Sequence, residues 1–128
     1  MTIEAAIKDA LKDGKLSCAA AFRIAQTQSV APGGVGDLAN DLDVRISQCQ
    51  LGLFGYGPKA QGLHKIVRPS ETVSTELERA LREHSTGGNI TCVDAWAIAK
   101  RLRVPKMEVS SAIEALGLRV TQCQLHCF

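Results

Sequence analysis

The chain has 128 residues, a formal net charge of +2 at pH 7 and only 4% aromatic residues. So small a charge argues for no particular partner, and no apolar run approaches the roughly 20 residues that cross a bilayer. Five cysteines, an odd number without a compact spacing, argue against a disulfide scaffold and for a reducing cytoplasm.

The charge is unevenly placed. Through Gly57 there are five Lys/Arg against six Asp/Glu, and from Pro58 onward ten against seven. The opening Met1–Glu4 also lacks the basic start and apolar segment of a secretory signal.

In chain order, Ile3, Ala6, Ile7, Ala10 and Leu11 recur at helical spacing, with Lys8, Asp9, Lys12 and Asp13 opposite them, which predicts an amphipathic helix over residues 3–13. Thr2 is placed to cap it and Gly14 to stop it. Lys15–Ser17 suits a brief strand, and Ser17 can cap a helix over Cys18–Gln28. After a turn at 29–31, Pro32 or Gly33 opens a third helix reaching Leu42, since Pro loses no hydrogen bond in a first turn. The period then changes from helical to alternating over residues 44–53, an expected strand. Gly, Pro and Lys crowd 55–62, and Leu63–Val67 is expected to return as the second strand of a β-hairpin.

The plan then recurs. Residues 72–83 predict a helix, Asn89–Thr91 a short strand, Cys92–Leu102 a helix opened by a Thr91/Asp94 capping box, Lys106–Leu116 another helix, and Leu118–Phe128 a final strand. That strand needs a partner, either the short strand at Ile90 or an edge of the first unit. The recurrence is written in the residues. Gln48-Cys49-Gln50-Leu51 reappears as Gln122-Cys123-Gln124-Leu125, and the same gapless shift lays Cys18 on Cys92, Ile24 on Ile98, Ala25 on Ala99, Val30 on Val104, Val35 on Val109 and Arg45 on Arg119. A duplicated unit is the economical explanation. Two units follow, residues 1–68 and 69–128, each marginal alone and expected to pack together. The expected fold is mainly α with short β-hairpins, the second unit lacking its return strand.

Helix, short strand, helix, tight turn, helix and hairpin resembles a winged helix-turn-helix. The residues carrying the resemblance are Ile98, Ala99, Leu102, Val104 and Val109, echoed by Ile24, Ala25, Val30 and Val35. Ala25 and Ala99 stand where the two helices of that family cross closely. The resemblance implies that the third helix of each unit enters a DNA major groove while the hairpin touches the backbone. The first such helix is poorly suited, because Asp37, Asp41 and Asp43 face a phosphate surface without a compensating base. The second is better furnished. Lys100, Arg101, Arg103 and Lys106, with Ser110 and Ser111 further along, are the candidate DNA contacts, joined by Lys59, His64 and Lys65 of the first-unit hairpin. The bland alternative for the basic cluster is a solvated helix face.

The expected activity is non-enzymatic DNA binding in transcriptional regulation, compatible with a homodimer and with no membrane association. Docking of a protein on the acidic first unit is the alternative. A weaker one is a cysteine-based metal or redox sensor using Cys49, Cys123, His126 and Cys127, although no C-x-x-C spacing supports it and buried packing is the usual fate of such thiols. No cofactor is expected. The histidines at 64, 84 and 126 have no triad spacing, and the glycines of 52–57 are not followed by the Lys of a phosphate loop, so no catalysis is expected.

Overall fold

The computed structural model describes residues 1–128. The fold is mixed α/β with six helices and four three-residue strands: α1 (Ile3–Ala10), β1 (Lys15–Ser17), α2 (Cys18–Thr27), α3 (Pro32–Asp41), β2 (Arg45–Ser47), α4 (Thr75–His84), β3 (Asn89–Thr91), α5 (Cys92–Leu102), α6 (Lys106–Ala115) and β4 (Arg119–Thr121). Two compact units emerge. The first is Met1–Lys65 with Gln124–Cys127, and the second is Ile66–Cys123 with Phe128.

The internal shift survives folding. β1 and β3, α3 and α6, and β2 and β4 have matching bounds, and β1 pairs β2 through Lys15↔Arg45 as β3 pairs β4 through Asn89↔Arg119. The caps repeat as well: Ser17 accepts from the Ala20 N–H, and Thr91 from the Asp94 N–H. Each satisfies one donor that the first helical turn leaves open. At the other end of these helices, Ser29 and Arg103 take left-handed backbone (φ 55° and 57°). The next N–H then returns to Ala25 or Ala99, at 3.0 Å in both units. This closing bond turns the chain sharply into the following helix.

The core is the repeat counted twice. Ile7 and Leu81, Leu16 and Ile90, Ile24 and Ile98, Val35 and Val109, and Leu51 and Leu125 are buried in pairs. Each such side chain contributes about 1.5–3 kcal/mol relative to exposure. Ala25 and Ala99 are 3% and 4% exposed, small enough to let the flanking helices approach.

The strands correct the sequence expectation. No antiparallel hairpin forms in either unit, and both sheets are parallel pairs. The reason is topological: two helices intervene between β1 and β2, and such a crossover brings the second strand back in the same direction. The strands are also short, because Gln48 and Gln122 adopt φ 51° and 54° directly after the third strand residue. The strands expected over 44–53 and 118–128 therefore stop at Ser47 and Thr121. Beyond Ser47 the chain folds on itself, with the Gln48 N–H donating to the Gly55 carbonyl and the Cys49 N–H to that of Phe54. A Cβ on Gly55 would lie 2.6 Å from the Gln48 nitrogen, so glycine is needed there. Residues 63–67 form no strand; the Tyr56 N–H to the His64 carbonyl, the Leu63 N–H to the Pro58 carbonyl and a 3-10 turn at Lys59–Gln61 hold this loop. The second unit thus lacks nothing that the first possesses in sheet, and β4 finds its partner at Ile90.

Candidate nucleic-acid interface

The end of α5, the turn at 103–105 and the start of α6 gather the basic residues of the second unit. Lys100, Arg101 and Arg103 are exposed and Lys106 is half-buried. Lys106 is held in place: its Nζ lies 4.2 Å from the centre of the Trp96 ring, over its face. Such a pair is worth about 0.5–1 kcal/mol at an exposed site. Lys100 and Arg101 in the last turn of α5 also oppose the partial negative charge at that helix end.

Beside this cluster runs an open groove of about 530 Å³. Val93, Trp96 and Ala97 of α5 and Val104 and Pro105 of the turn line it, and Lys100 and Lys106 contribute its cations. Val93 is 55% exposed, so the groove presents apolar surface to solvent. The groove leaves no mark in the sequence, because nothing in the pattern brings Trp96 and Lys106 together until the turn between their helices closes.

Other expected contacts fare differently. Ser110 is completely buried on the inner side of α6, beside Val109 and Ile113 in the helix, and so is withdrawn from any external contact. Its place in the first unit is taken by Gly36, also buried, and this small-for-small match was the available signal. Ser111 is half-buried, and its carbonyl accepts from the Ser70 N–H at 3.1 Å. Lys59 and Lys65 are exposed on the first unit's loop, whereas the Nδ1 of His64 is buried without a hydrogen-bond partner.

No family model, curated protein or solved structure matches the chain.

In the first unit, the helix corresponding to α6 is occupied along one side. A Cβ on Gly36 would sit 1.8 Å from the Leu125 carbonyl oxygen, and one on Gly33 would overlap the His126 ring. His126 Nδ1 in turn lies 2.9 Å from Asp37 Oδ1. Leu125 and His126 therefore lie directly on α3, and the glycines are what admit them. The metal-ligand expectation finds no geometry: no three His, Cys, Asp or Glu side chains converge to hold an ion, Cys49 is buried, Cys123 half-buried and Cys127 exposed. Cys49 instead belongs to a small polar cluster. Its carbonyl accepts the Tyr56 hydroxyl, and Gln50 Nε2 lies 4.0 Å from Cys18 Sγ. Burial pushes the Tyr56 hydroxyl pKa above its usual value, with smaller contributions from Cys49 and Cys18.

Proposed function

We propose that the second unit binds duplex DNA, without chemistry, through the α5–turn–α6 segment, and that the protein acts in transcriptional regulation. Two helices joined by three or four residues are the supporting frame of a helix-turn-helix. One observation carries the reading. At positions equivalent to Lys100, Arg101, Arg103 and Lys106, the first unit has Gln26, Thr27, Ser29 and Pro32 on the same backbone plan. The fold itself therefore does not require these four cations. Arg103 supports this further, since left-handed backbone costs an L-residue about 1–2 kcal/mol and glycine would avoid it. Ser29 takes the same backbone without a charge, so the turn geometry does not call for an arginine.

The alternative, protein docking on the acidic α3, retains the exposed Asp37 and Asp41, but Leu125 and His126 already take the Gly33–Gly36 side. Lys59 and Lys65 are secondary contacts at most. The deciding measurement is fluorescence anisotropy of a labelled random duplex across roughly 50 to 200 mM salt. Release of about four counterions predicts a loss of affinity of about 10²-fold over that range. Writing the first unit's residues into the second (K100Q, R101T, R103S, K106P) should abolish binding. Absence of binding at the low-salt end refutes the proposal, and salt-insensitive capture of a protein would favour docking.

A further inference from the structure

We infer that the groove beside Trp96 is a binding site for a small amphipathic carboxylate, an aliphatic or aryl acid whose tail lies along Val93, Trp96, Ala97 and Val104 and whose carboxylate meets Lys100 and Lys106. The inference stands whether or not this face also meets DNA. The groove's volume, about 530 Å³, falls within the range of small-ligand sites, and such sites combine an apolar lining with a few placed polar groups. The charge is one-sided: two ammonium groups line the groove and no carboxylate does. Lys106 is pre-positioned by the Trp96 ring, so less side-chain freedom is lost when an anion arrives.

The first unit supplies the contrast. Where the second has Val93, Trp96, Ala97, Lys100 and Lys106, the first has Ala19, Phe22, Arg23, Gln26 and Pro32. The second copy has thus gained apolar area at Val93 and Trp96, exchanged a cation for Ala97 in the wall, and gained two cations beside it. Meanwhile Ala99 and Val104, which shape the helix crossing and the turn, match Ala25 and Val30. The frame is shared and the lining is not. This is the pattern of a site built on one copy only.

Trp96 is the chain's single tryptophan, so its emission reports on the groove directly. The test titrates the full-length protein with decanoate, decanol and decylammonium below their micelle concentrations. Decanoate should shift Trp96 emission saturably and bind roughly 3- to 10-fold more tightly than decanol, as expected for pairing with two partly solvated lysines, with decylammonium weakest. Lys100→Gln with Lys106→Gln should reduce decanoate to the affinity of decanol, while the methyl signals of Val93 and Val104 still respond to the tail. Three probes that bind alike, a decanoate affinity unchanged in the double variant, or no saturable response would overturn the inference. A response to an acidic, leucine-rich peptide with none to decanoate would also overturn it, in favour of a protein partner.

Discussion

The two units share a backbone and much of a core and differ along the turn and the third helix. Ser17 and Thr91 cap, Ile24 and Ile98 pack, and Ser29 and Arg103 turn the chain with the same left-handed residue. Around this frame the first unit places Gly33, Gly36 and Asp37 on its third helix and the second places Met107, Ser110 and Ser111. In one case the helix is thinned to admit a passing chain. In the other, the preceding turn is loaded with charge. Buried small and apolar positions define the unit, while the turn and the third helix are free to diverge.

That contrast can be broken most forcefully at α3. Gly36→Ala should destabilise the protein by about 2 kcal/mol in urea unfolding, because the new methyl meets a backbone oxygen that must move. Gly34→Ala, two residues away and with nothing within 4 Å of its added carbon, should instead stabilise by about 0.5–1 kcal/mol through helix propensity. Equal effects from the two would show that Leu125 does not rest on α3. A smaller change sharpens the comparison at the turn. Arg103→Gly should raise stability by about 1 kcal/mol, as should Ser29→Gly, but only the former should weaken DNA affinity and lower the salt slope by about 0.9. A loss of stability on Arg103→Gly would mean that the arginine is structural.

An effect similar in size to that at Arg103 is expected at Tyr56, the only tyrosine. Its raised pKa means that the unfolded chain ionises first, so its contribution to stability is intact below about pH 10 and is lost as pH rises through the higher folded value. Tyr56→Phe should cost about 1 kcal/mol near neutrality, from the lost bond to the Cys49 carbonyl, and should remove this alkaline dependence. Absorbance of the single phenolate follows the titration directly.

Much of this was legible before folding. The helices announced themselves by period and cap, and the duplication by its gapless match. The strands were overread, since alternation continues through Cys49 and Leu51 while Gln48 turns left-handed, a conformation that glutamine does not advertise. The basic cluster was legible because its members are nearly consecutive. The groove was not, because Trp96 and Lys106 meet only across a turn, and Ser110 was misread because its hydroxyl concealed an inward-facing position that Gly36 marks in the other copy.

The seating of residues 124–127 within the first unit has a consequence in time. That unit is not a continuous stretch of chain. At a synthesis rate of about 5–20 residues per second, the roughly 60 residues separating Lys65 from Leu125 and His126 take about 3–12 s to emerge. Through that interval α3 presents Gly33 and Gly36 uncovered. The first unit is therefore begun early and closed late, and the second, which lies within this interval, has its own strands and helices available before its elder copy is complete.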